Sequence, residues 1–155
     1  MANRSVRIDV NDALEHAFIE LTHLLRTWVI PFPQEETRGK AIGEVMYNFL
    51  CKAAIQAMHD DFIVKQLPGD AERFAYLVDK YYTPTQQPTS LSMHIMIAEE
   101  NLAMVESLGE YLNQFDLPAA LQHRGHWKRT LIINVAVGWL YETFDQRLDR
   151  WYTGR

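Results

Sequence analysis

Any helix drawn through residues 131–141 is apolar in every direction around its axis. Leu131, Ile132, Ile133, Val135, Val137, Trp139, Leu140 and Tyr141 surround it, with only Asn134 and Gly138 as interruptions. Such a helix has no side that can face water cheaply, so other elements must enclose it. Further on the pattern turns one-sided. Val137, Tyr141, Phe144, Leu148, Trp151 and Tyr152 share a face opposite Glu142, Gln146, Asp149 and Arg150. The pattern predicts one helix over 126–152, central in its first half and superficial in its second.

Four more helices are predicted upstream. Over 9–29, Leu14, Ala17, Leu21, Leu24 and Trp28 alternate spacings of three and four and form one apolar stripe. Asn11 or Asp12 can cap it, and Glu15 completes a capping-box spacing with Asp12. Pro31 and Pro33 end it. Over 37–59, Ile42, Val45, Met46, Phe49, Leu50, Ala53 and Ala57 form the main face. Tyr47, Cys51, Ala54, Ile55 and Met58 make the opposite side apolar too, so the helix either sits deep in the bundle or shows a second apolar face to another chain. Pro68-Gly69 is a turn, and Asp70 caps a short helix over 71–82. Residues 83–89 read as loop. Over 90–115, Leu91, Ile95, Ala98, Leu102, Val105, Gly109 and Leu112 keep a heptad spacing and predict one long helix. No stretch reads as a strand. The expected fold is all-α: a single-domain bundle of about five helices with the C-terminal helix in the middle.

Composition agrees with a real core, since 48% of the 155 residues are hydrophobic and 12% aromatic. The net charge of −5 argues against general nucleic-acid binding, and with it against a helix-turn-helix DNA reader. A single cysteine, Cys51, permits no internal disulfide and favours a reducing compartment. Residues 1–12 lack the apolar run of a secretory signal. The longest apolar run is about half of what a bilayer needs. A soluble, cytoplasmic protein is expected, with no membrane contact.

Few residues point to chemistry. His16, Glu20 and His23 hold a Glu-x-x-His spacing, but their helical angles turn them away from the stripe, onto an exposed polar face. His59 sits where a helix C-terminus favours it. His94 flanks the predicted seam and reads as a partly buried histidine with one hydrogen-bond partner. Asn134 needs partners within the core, ordinarily on a neighbouring helix. Cys51 reads as a small packed hydrophobe.

The unusual segment is His123, Arg124, Gly125, His126, Trp127, Lys128 and Arg129. It gathers cations at a helix N-terminus, which already carries positive potential. Either it binds an anion or an acidic partner through His123, Arg124, His126, Lys128 and Arg129, or it balances the acidic excess of residues 60–116. No phosphate loop, nucleophile elbow, paired cysteines or zinc-protease motif occurs. No catalytic residue and no cofactor is assigned. The expectation is a non-enzymatic regulator, adaptor or inhibitor that binds another protein and forms a homodimer. Tyr47, Cys51, Met58, Trp151 and Tyr152 are its expected interface. The alternative is a small-molecule or metal site within the bundle, with or without catalysis and gathered from several helices, built from His94, Asn134, His123, Arg124 and His126.

Overall fold

In the computed structural model, α5 (Arg129–Glu142) is enclosed as its sequence requires. Every residue from Leu131 through Gly138 is buried, and Leu140 with them. The other four helices and the first strand all pack against it. Each large aliphatic side chain it buries is worth about 1.5–3 kcal/mol. The structure describes residues 3–28, 44–65, 69–82, 91–115, 122–123 and 126–144.

The helix is shorter than 126–152. His126 and Trp127 are extended, pairing as β4 (His126–Trp127) with β3 (Gln122–His123), so α5 begins only at Arg129. It ends at Glu142, where the Thr143 side chain donates to the Trp139 carbonyl. Residues 145–155, which carry the rest of the expected amphipathic half, lie outside the described residues.

The protein is not purely helical. β1 (Asn3–Val10) pairs antiparallel with β2 (Leu91–Ala98), in a register running from Asn3 opposite Ala98 to Val10 opposite Leu91. β1 alternates as a half-buried strand should: Val6, Ile8 and Val10 are buried while Ser5 and Arg7 are exposed. β2 replaces the first part of the helix expected over 90–115. Ile95 and Ile97 face the core, and Ser92, His94 and Met96 face solvent. The error has a physical cause. Positions i and i+4 share a face in a strand and in a helix alike, so Leu91 and Ile95 fitted both periods. The helical seam starts only with α4 (Glu99–Leu112), where Leu102, Val105, Gly109 and Leu112 are buried as expected.

α1 (Asp12–Trp28) is capped by Asn11, whose Oδ1 accepts the Leu14 N–H at 2.9 Å. Leu14, Ala17, Phe18, Leu21 and Leu25 form its buried face. α2 (Glu44–His59) runs into a single π-helical turn, Asp60–Val64. Its inward side is turned from the expected main face toward the opposite one, although Met46 and Leu50 of that main face stay buried. Leu50, Cys51, Ala54, Ile55 and Met58 face the core, while Val45 is exposed and Phe49, Ala53 and Ala57 are half-buried. With apolar residues on both sides, periodicity could not say which side faced in. α3 (Asp70–Tyr81) follows Gly69, whose φ of 86° suits glycine. Asp70 is therefore the first helical residue rather than the cap. Its buried carboxylate accepts from Arg73 at 2.9 Å and from the Tyr111 hydroxyl at 2.8 Å.

One hydrophobic cluster draws residues from β1, β2 and all five helices. Asn134 reaches across it. Its side-chain amide donates to the carbonyl of Asp9 at 2.7 Å and to that of Tyr81 at 3.4 Å. The partners sit at the end of a strand and the end of a helix, and they tie both to α5.

Candidate functional site

Several polar residues inside the body bind elements together. Trp139 Nε1–H donates to Asp61 Oδ2 at 2.8 Å, and Lys65 holds the other carboxylate oxygen at 3.2 Å, which pins the π turn to α5. Tyr111 on α4 reaches Asp70 on α3. Burial, aided by the bond to Asp70, pushes its hydroxyl up to about 12. The Tyr81 hydroxyl donates to Glu142 Oε2 at 2.7 Å, and burial followed by that bond raises its pKa. Burial also raises the Cys51 thiol, which keeps it protonated and un-nucleophilic. The Asp61–Trp139, Asp70–Tyr111 and Tyr81–Glu142 contacts each join two elements.

The expected site residues scatter. Cys51 and Met58 are fully enclosed within the chain itself, and Tyr47 is half-buried against Phe18. Burial, then the nearby Glu15, raises the Tyr47 pKa. Trp151, Tyr152 and Arg124 lie outside the described residues. His123 and His126 face each other across the β3–β4 pair, by backbone register. Arg129 forms a two-pronged contact with Glu106 on α4, both at 2.9 Å, and Lys128 is half-buried. Trp127 is buried and donates to Asn113 Oδ1 at 2.6 Å. Arg129 thus has its counter-charge within the chain.

His16 and His23 are exposed, as their angles predicted, with His16 edge-on to Tyr141. His94 is exposed rather than partly buried, because it lies on the solvent face of β2. Its Nδ1 is 3.4 Å from Ser5 Oγ. Among the described residues, no three His, Cys, Asp or Glu side chains stand close enough to hold a metal ion. No described helix is long and apolar enough to cross a membrane.

One surface is chemically unfinished. In an antiparallel ladder, residues alternate between those that exchange hydrogen bonds with the partner strand and those whose N–H and C=O point away from it. The N–H of Met96 is donated to Asn48 Oδ1 at 3.0 Å, so Met96 points away from β1. Its cross-strand neighbour Ser5 must then point away from β2, and so must Asn3, Arg7 and Asp9. The Asp9 carbonyl confirms this phase, since it meets Asn134 on the far side. The Asp9 carbonyl is thereby occupied. At Asn3, Ser5 and Arg7 the outward backbone groups have no hydrogen-bond partner among the described residues. Residues 3–5 and Arg7 are exposed.

The edge is charge-balanced. Arg4 lies 3.5 Å from Glu99, and Arg7 lies 3.4 Å from Asp9 and donates to Ser92 Oγ at 2.9 Å. No proline or bulge interrupts the register; of the usual devices that keep a strand edge from pairing, β1 carries only charged side chains, Arg4 and Arg7, each matched by an acid of the same chain. Val45 (58%) and Met96 (46%) are exposed apolar side chains. Sequence reasoning missed the edge because it missed the strand. The signal was the polar–apolar alternation of Ser5, Val6, Arg7, Ile8, Asp9 and Val10.

No family model, curated protein or solved structure matches this chain.

Proposed function

We propose that this protein works by binding another protein chain rather than by catalysis, as a single domain in a reducing, cytoplasmic setting. The partner adds an extended segment to the outer edge of β1. The open run of backbone donors and acceptors at Asn3, Ser5 and Arg7 carries this reading. Strand addition draws its affinity from main-chain hydrogen bonds and its specificity from alternate side chains. Asp61, Asp70, Tyr81 and Asn134 support the same reading, since their side chains are committed to joining elements. A regulator, adaptor or inhibitor role fits a protein built this way.

The basic segment around Lys128 and Arg129 is assigned to charge balance at Arg129, by its contact with Glu106. Reversing the charges of Arg124 and Arg129 together should leave partner binding and its salt dependence unchanged; a loss of either would bring that segment into the interface.

Ser5→Pro tests the main reading. The Ser5 N–H points away from β2, so proline removes a donor from the open edge without breaking the β1–β2 ladder. The helical content and melting temperature should stay near those of the parent. Proteins captured from the host by the parent chain should be lost by the variant. An unchanged captured set, with the fold intact, refutes binding through this edge.

A further inference from the structure

We infer that the strand added to β1 is the β1 of a second copy of this chain, paired antiparallel about a two-fold axis at Ser5 to give a four-stranded sheet in the order β2–β1–β1–β2. This rests on the strand-addition reading and names its partner. A two-fold dimer requires one patch that is complementary to itself. The free edge meets that demand in one register better than in others. With Ser5 opposite Ser5, Asn3 of each copy lies opposite Arg7 of the other, so the outward backbone groups of Asn3, Ser5 and Arg7 all acquire partners. About six main-chain hydrogen bonds result. A register centred on Val6 would set Asn3 against Asp9, whose carbonyl Asn134 already occupies. A register centred on Arg7 would also call on Asp9, and it would place arginine opposite arginine, which repels.

Charge supports self-pairing at Ser5. Each arginine on the edge has an acid of its own chain beside it, Glu99 for Arg4 and Asp9 for Arg7. Two such edges meet as neutral surfaces, although the chain as a whole carries −5. In this register Arg7 faces the Asn3 amide and Arg4 faces Val6, so no like charges stand directly opposite. An acidic peptide, the other candidate strand, would have to displace Glu99 and Asp9 before it gained anything from these arginines.

The test uses the full chain. Sedimentation from micromolar to near-millimolar concentration should show the mass rise from 18.1 kDa to twice that value, and Ser5→Pro should abolish the rise. Directly opposed strand residues that exchange hydrogen bonds have Cα atoms about 5.5 Å apart, within the roughly 4.4–6.8 Å of a disulfide. Ser5→Cys should therefore cross-link under mild oxidation. Arg7→Cys should not, because its two copies stand four residues apart along the strand, roughly 13 Å. If Ser5→Pro does not fold, the contrast between the two cysteine variants decides alone.

A chain that stays at 18.1 kDa throughout, a dimer that survives Ser5→Pro in a folded protein, or equal cross-linking at both positions overturns the proposal. The two readings fail separately. A solitary chain whose captured proteins disappear with Ser5→Pro removes self-pairing and keeps strand addition. A solitary chain whose captured proteins ignore the substitution removes both.

Discussion

Gly138 lies inside α5 directly against the ring of Tyr81, and replacing it with alanine should destabilise the protein. A Cβ built there would stand 2.7 Å from Tyr81 Cγ and nearer still to Cδ2 and Cε2, so something must shift. The obstacle is ring, not a flexible side-chain end. Tyr81 is fully buried, its hydroxyl is tied to Glu142, and its carbonyl accepts from Asn134, so three constraints oppose retreat. Overpacking a well-filled core costs about 1–3 kcal/mol, and this rigid site belongs at the upper end. Alanine offsets about 1 kcal/mol through its better helix propensity. The net loss should be about 2 kcal/mol, equivalent to a fall of roughly 4–8 °C in Tm for a domain of this size. Urea unfolding followed by circular dichroism would measure it, with an unchanged slope showing that only stability moved. A double-mutant cycle with Tyr81→Leu supplies the control. The alanine should cost much less when the ring is absent. A Gly138→Ala protein as stable as its parent, or one equally destabilised with leucine at 81, would refute the argument.

Other outcomes follow from the same structure. Asp70→Asn should lower the Tyr111 pKa from about 12, though not to the free value, because burial is the larger cause and persists; ultraviolet titration of tyrosinate reads this directly. Because the folded state holds this proton more tightly than the unfolded state, Tyr111 contributes its full stability below about pH 10. That contribution should decline between about pH 10 and about pH 12, and a melting temperature that rises with pH across this window would contradict it. Cys51 should react with a thiol reagent only as fast as the protein opens, and rapid labelling of the native chain would show that the site is not enclosed. Asn134→Ala leaves the carbonyls of Asp9 and Tyr81 without their donor and should cost about 1–3 kcal/mol in urea unfolding, so a neutral result would mean those carbonyls find other donors.

The parts of the fold that sequence revealed were those where one physical signal dominated. The all-round apolar run of α5 could only be central, and the stripe of α1 could only face a core. Where two signals coincided, sequence was mute or misleading. Leu91 and Ile95 satisfied the strand and helix periods together, and the decision fell to a partner strand more than eighty positions away. α2 is apolar on both sides, so its inward side was chosen by its neighbours, which put Cys51 and Met58 in the core. The candidate surface was the least legible of all. It consists of backbone groups left unpaired by the ladder, and a sequence encodes their direction only once the register is known.

The order of synthesis sets a further condition. The four other helices and β1, which pack on α5, are all made before it, so the centre of the described body is supplied late. Val6, Ile8 and Val10 leave the ribosome long before residues 91–98 can cover them, an interval of about 4–18 s at 5–20 residues per second. During that time the apolar side of β1 is open along with its edge. A nascent chain of this protein therefore exposes apolar surface that the finished one does not, and its concentration on polysomes bears on whether strands first find their own chain or a neighbour's.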